Sequence, residues 1–354
     1  MIDIEKFKDS FKNQLFHILD GIKDNEMQSY SLFVLALSNI SLMDQLRNDY
    51  ELKNILFDKY NLLSEHITTY LDNAEDFDIF KKIVTFQKDN KFDNNTLLNN
   101  LSRKRKVSDF NLKFNKIREF RPERESKEKF LANFKDFDEI KFNFNKKFLK
   151  KEIIFDDNFF IDKEFKDRFT FFYNKFPFVE YHTVIVPDKD KNNPQFLSSE
   201  YHNLICDFMK NIKVKNKKEI VGIGFSAYGA FASVNHLHFQ FFIEDLPILD
   251  EKWIHNGGNC QYPAKIYKFN DFYSSWQQID YFNKNNITYN VCYTADSIFC
   301  LPRQFQSEYP KQNWSKGFGW YEMTGGFISF TYDDFNKITE KEIDQDFVNI
   351  SCKT

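Results

Sequence analysis

GFSAYGAFASVNHLHFQFF, residues 224–242, decides how the chain is read. Its last third alternates strictly. In a strand, His236, His238 and Gln240 fall on one face and Leu237, Phe239 and Phe241 on the other. The apolar side belongs to a core, and the polar side then presents two imidazoles and an amide. Gly224, Gly229 and Ser233 precede that strand, which is expected over 236–243. A half-exposed strand with two incidental histidines would show the same alternation. A His-x-His strand can also chelate a metal, but no nearby Asp, Glu or Cys is placed as a third ligand. Nucleophilic chemistry is the sharper reading. A neutral imidazole nitrogen attacks phosphorus when its other N–H is held by an acceptor, which fixes one tautomer. Donors around the phosphorus must also offset the developing charge.

Outward from this segment, two textures divide the chain. Residues 1–95 read as helical. Ile4, Phe7, Phe11, Leu15, Leu19 and Ile22 recur at helical steps, and SLFVLALSNISLMDQL is apolar nearly all round, as a buried helix would be. Residues 96–107, polar and Asn-rich and ending in Arg103, Lys104, Arg105 and Lys106, are expected to be a solvated linker. From 108 to 354, strands and turns take over. DFNLKFN, KFNFN at 141–145, RFTFFYN, HTVIVP, EIVGIGFS, ITYNVCYTA, SIFCLP and GGFISFTY read as strands, and SSEYHNLICDFMKNI as a Ser-capped amphipathic helix. No regular βαβ rhythm appears, so the expected class is α+β with an antiparallel sheet and flanking helices.

Bulk properties exclude several functions. The chain has 354 residues, a net charge of −3 and 42% hydrophobic content, so it carries no basic field to recruit nucleic acid. Its 44 Phe run through every kind of segment and are poor evidence for base stacking. MIDIEKFKDSFKNQLF lacks the apolar core of a secretory signal, and no apolar run is long enough to span a bilayer. The five Cys form no CxxC and suggest free thiols in a reducing cytosol, with no structural zinc.

HLHFQ, preceded by GAFASVN, resembles the signature of the histidine-triad superfamily in its transferase branch. That branch includes galactose-1-phosphate uridylyltransferase and diadenosine tetraphosphate phosphorylase. The chain is most similar to the GDP-hexose phosphorylase group, through FNLKFNKIREFRPER (110–124), FDEIKFNFNK (137–146), KFPFVEYHTVIVP (175–187), the 224–240 block and SIFCLPRQ (297–304), in that order. The resemblance covers 108–354 and implies a GalT-like fold. It implies that His238 is the nucleophile, attacking the α-phosphorus of a nucleoside diphosphate sugar, and that His236 orients it. Gln240 stands where the hydrolases carry a third histidine. An amide donates a hydrogen bond but no proton, which favours transfer to a second acceptor such as inorganic phosphate. For substrate binding the resemblance points to Ser226, Gly229, Ser233, Asn235, His182, Asn115, Arg118 and Arg303. Arg121, Arg124, Lys141, Asn143 and Glu322 are weaker matches. The phosphorylases have Asn where this chain has Ser226. A capping serine, a buried structural histidine and a solvated arginine face are the ordinary alternatives for these residues. The mechanism so implied needs no cofactor or metal. Its partners are a nucleotide sugar and phosphate in the cytoplasm, and a homodimer is compatible with it. A dinucleoside polyphosphate phosphorylase, or a non-catalytic nucleotide sensor with a helical output region, are the competing readings.

Overall fold

The computed structural model describes residues 2–24, 26–67, 74–121, 129–154, 163–216 and 219–352. β1 (Ile2–Asp3) runs straight into α1 (Ile4–Asp20), whose first turn is capped by Asp3 accepting from the backbone N–H groups of Glu5 and Lys6. α2 (Met27–Leu42), α3 (Asp44–Arg47), α4 (Tyr50–Glu65), α5 (Glu75–Asp89) and α6 (Asn94–Leu101) complete a helical layer. α2 is buried almost all round, as its composition predicts.

β2 (Ser102–Val107) and β3 (Phe110–Asn115) make an antiparallel pair followed by α7 (Lys116–Phe120). After α8 (Lys163–Arg168) come β4 (Phe169–Tyr173), β5 (Thr183–Pro187), α9 (Ser199–Lys210), β6 (Ile212–Lys213), β7 (Val221–Ser226) and β8 (Phe239–Ile243). β9 (Tyr267–Phe269), α10 (Phe272–Lys284), β10 (Thr288–Thr294) and β11 (Ile298–Arg303) precede α11 (Trp320–Met323) and β12 (Gly326–Ser329). The chain closes with α12 (Tyr332–Lys337) and α13 (Glu340–Ile350).

Seven strands form the main sheet, ordered β4-β5-β8-β7-β10-β11-β9 and antiparallel throughout. A second sheet orders β12-β3-β2, and β1 lies parallel to β6. The α+β class with an antiparallel sheet and an N-terminal helical region is therefore what the chain adopts.

One face of the main sheet carries Phe239 and Phe241 of β8, Ile223 and Phe225 of β7, and Tyr289 and Val291 of β10. The helices seal this face: Phe7 meets Phe241 edge-on at 4.8 Å and Phe11 meets Tyr173 at 4.6 Å. Each such ring removed from water is worth about 1.5–3 kcal/mol. The 1–95 helices and the sheet thus share one continuous core. The opposite face gathers Phe242, Cys292 and Leu301 against α11, α13 and the small sheet, and it also carries the polar residues of interest.

Three expectations are corrected. Residues 96–107 are no linker: they are the end of α6 and strand β2. The basic run alternates along an edge strand, where charge discourages pairing with another chain. Arg105 donates to the carbonyls of Phe335 (2.7 Å) and Ile338 (2.8 Å) at the end of α12, and Arg103 lies over Tyr332. KFNFN at 141–145 is not a strand, because its asparagines serve their own backbone. Asn143 donates to the carbonyls of Glu139 and Lys141 and accepts from the N–H of Asn145. The strand expected over 236–243 begins at Phe239. Upstream, the N–H of Leu237 goes to the carbonyl of Asn193 (2.8 Å) and that of His238 to the side chain of Gln195 (2.9 Å), so the ladder is replaced there.

Candidate active site

Alternation survives that shift. Leu237, Phe239 and Phe241 are buried in the helical-side core, and His236, His238 and Gln240 lie on the other side. The two imidazoles differ in what their nitrogens do. His236 is wholly buried and saturated: its Nδ1 accepts from the N–H of Phe144 (3.2 Å) and its Nε2–H donates to the carbonyl of Lys189 (3.1 Å). No lone pair is left for phosphorus or a metal. Its backbone carbonyl accepts from Nδ1–H of His238 at 2.8 Å. A carbonyl only accepts, so His238 carries its proton on Nδ1 and its lone pair on Nε2. Nε2 has no hydrogen-bond partner among the described residues, although the residue is only 4% exposed. Phe144 packs 5.3 Å from the ring, and Phe137 meets His236 at 5.1 Å.

Gln195, which sequence reasoning passed over, holds this geometry. It is buried, and its amide bridges three backbone groups. Oε1 accepts from His238 N–H (2.9 Å), while Nε2 donates to the carbonyls of Ser226 (2.8 Å) and His238 (3.2 Å). A side chain thus replaces the missing rung between the end of β7 and the start of β8. NNPQF carries no periodic signal that would reveal it.

Gln240 on β8 and His182, the residue before β5, stand side by side. Oε1 of Gln240 lies 2.9 Å from His182 Nε2 and 2.9 Å from the indole nitrogen of Trp320. Ser226 ends β7 rather than lying in the loop. Opposite it in register, Asn290 donates to its hydroxyl at 2.8 Å and to the carbonyl of Ala230 at 3.1 Å. Both Trp320 and Asn290 are further residues that no motif had singled out.

The remaining candidates separate. Asn235 ties its loop to the backbone of Gln195, Lys135 and Asp136. Asn115 caps α7 by accepting from the N–H groups of Ile117 and Arg118, and it donates to the carbonyl of Pro177. Arg303 is buried without a carboxylate bonded to it. It donates to Gln304 O, Phe318 O, Asn290 Oδ1 and Tyr309 Oη. All three are thus committed to internal bonds. Gly229 takes φ +83°, and a Cβ there would lie 2.5 Å from Phe305, so both conformation and space require glycine. Ser233 is exposed in the loop between β7 and β8. Arg118 sits over Phe178, which also meets His182 at 4.3 Å, and the Arg118 Nε has no hydrogen bond. Glu322 accepts from the N–H of Gly319 at 2.8 Å. Lys141 and Asn143 belong to the irregular segment that leads to Phe144, and Arg121 faces Glu75. Arg124 lies outside the described residues. No group of three His, Cys, Asp or Glu stands together as a metal site among the described residues.

Burial sets the charge states. Desolvation lowers His238 to about 4 against the favourable bond to His236, lowers His236 to about 4, and lowers His182 to about 3. Desolvation, then Arg121, lowers Arg118 to about 10, which leaves it charged. Burial raises Glu322, with Arg118 and Arg303 among the opposing influences. A nucleophile works deprotonated, so a depressed pKa moves its acid limb to lower pH. If His238 is the nucleophile, its single-turnover attack is therefore expected to stay flat from pH 8 through the ordinary imidazole value of about 6.5 and to fall only near pH 4. Quenched-flow pH profiles measure this; a limb at 6.5 would mean a solvated ring.

Residues 101–242 match a family described as GDPGP1-like, N-terminal domain. The match includes His182, His236, His238 and Gln240 and leaves α1–α5 and everything after Phe242 outside. Among solved structures, yeast Ap4A phosphorylase Apa2 in complex with Ap4A aligns at 13% identity and a TM-score of 0.46, over 80% of this chain and 100% of that one. The same enzyme in complex with AMP aligns at 13% identity and 0.45, over 78% and 96%. No curated protein matches the chain. No helix among the described residues is long and apolar enough to cross a membrane.

Proposed function

We propose that the chain is a nucleotidyltransferase that phosphorolyses a nucleoside diphosphate hexose, a GDP-hexose in the first instance, through a covalent nucleotidyl-histidine. One observation carries the reading: His238 keeps Nδ1–H on the carbonyl of His236 and an uncommitted lone pair on Nε2. The likeness to the GDPGP1-like domain over that segment supports it.

The Nε2 lone pair attacks the α-phosphorus. The bond from that phosphorus to the bridging oxygen breaks, and hexose 1-phosphate leaves with the electron pair. The adduct ring keeps its Nδ1 proton and carries positive charge, which the carbonyl of His236 partly offsets. An oxygen of inorganic phosphate then attacks the same phosphorus, the P–N bond breaks, and nucleoside diphosphate leaves with the ring neutral again. Neither step requires the site to supply a proton, consistent with an amide at 240. Arg118 supplies a fixed positive charge near His182.

The test is a panel of α-phosphate-labelled GDP-hexoses, other NDP-hexoses and diadenosine tetraphosphate, each incubated with and without phosphate. An acid-labile, alkali-stable protein adduct with a GDP-hexose, discharged to GDP by phosphate, is the expected result. Discharge with diadenosine tetraphosphate alone would move the substrate assignment. Binding without label transfer would leave a nucleotide sensor.

A further inference from the structure

We propose that Trp320 and His182 are positioning residues that clamp Gln240 in one orientation, so that it offers the site only hydrogen-bond donors. This rests on the function proposed above. An indole N–H can only donate, so the Gln240 atom 2.9 Å from Trp320 Nε1 is the amide oxygen. That same oxygen lies 2.9 Å from His182 Nε2, which must then carry the proton. The other ring nitrogen agrees, since Nδ1 receives the N–H of Phe178 at 3.4 Å. Asn174 Nδ2, 3.2 Å from Nε2, would favour the opposite tautomer. That tautomer would set a lone pair against Gln240 Oε1 and an N–H against an N–H at Phe178, so two contacts outweigh one.

The sheet is built to admit the indole. Gly224 is the register partner of Gln240, and a Cβ at 224 would lie 2.1 Å from Trp320 Cδ2. The missing side chain is the space that the indole occupies, and Phe242 stacks against it at 4.9 Å and 16°. With both lone-pair directions of Oε1 engaged, only the NH₂ of Gln240 is left for a ligand. Such a group recognises an acceptor, here a deprotonated phosphoryl oxygen, and discriminates against a donor in that place.

Two measurements test the clamp. The first needs no activity: indole N–H correlations in ¹⁵N-labelled protein, with Trp320 assigned from Trp320→Phe. In Gln240→Ala the Trp320 signal should move upfield and exchange faster with water. An unmoved signal overturns the clamp whether or not the protein transfers nucleotides. The second is a double-mutant cycle on single-turnover adduct formation. Trp320→Phe should slow it about tenfold to a hundredfold with little change in KM, yet change nothing further in the Gln240→Ala background. An equal loss in both backgrounds would make Trp320 merely structural. A wild type that forms no adduct refutes the proposed function, and the clamp is then judged on the indole signal alone.

Discussion

Under the proposed mechanism, replacing His238 by Ala is expected to abolish adduct formation and to lower phosphorolysis about 10⁴-fold or more, while the protein stays folded. The size of the loss follows from the division of labour in the site. His236 has both ring nitrogens committed, to Phe144 and Lys189, so it cannot take over the attack. Gln240 has no nucleophilic atom. The truncation removes one buried donor and leaves the carbonyl of His236 without its partner, a cost of about 1–3 kcal/mol that a core of this extent absorbs. His236→Ala is expected to behave in the opposite manner. It lowers the melting temperature by stripping two backbone groups of their partners, and it slows the reaction through displacement of His238. Label transfer and thermal melting on the two variants check this together. If His238→Ala takes up label as wild type does, the covalent mechanism is wrong.

The second large effect belongs to Gln195. Gln195→Ala should cost about 3 kcal/mol of stability, because the His238 N–H and the buried carbonyls of Ser226 and His238 lose their partners at once. It should also slow single-turnover attack by about tenfold to a hundredfold, since the ring rides on that backbone. Gln195→Glu is the informative companion. A carboxylate can still accept from His238 N–H but cannot donate to the two carbonyls, so it should be no better than Ala. Denaturant melts and quenched-flow rates read both effects. Wild-type stability in both variants would show that the clip at 195 is dispensable.

What could be read in advance follows from how far each signal reaches along the chain. HLHFQFF alternates locally, so the faces of Leu237, Phe239 and Phe241 against His236, His238 and Gln240 are legible in the sequence alone. The apolar stripe of α1 and the all-round apolar α2 were legible for the same reason. β2 was not, because RKRK pairs by backbone with β3, and its side chains answer to α12 carbonyls more than two hundred residues away. KFNF misled in the reverse sense: it has the period of a strand, but its asparagines offer local bonds that win over a ladder. Gln195, Asn290 and Trp320 act through single side chains brought in from other elements, and no local pattern marks such residues. Gly224 was noticed as a glycine, but its use as the seat of an indole depends on α11 lying over the sheet.

The one core shared by helices and sheet bears on how the protein is made. α1 is made well before the strands it covers, and Phe7 gains its edge-on partner Phe241 only after more than two hundred further residues have been synthesised. The helices can pack on one another early, but the part of α1 that faces the sheet must wait, and the late strands meet it through long loop closures that slow folding. A chain begun at residue 108 would reverse the problem: α9 and α10 would still cover their part of that face, but Tyr173 and Phe241 would lose Phe11 and Phe7 and meet water, or other copies, instead.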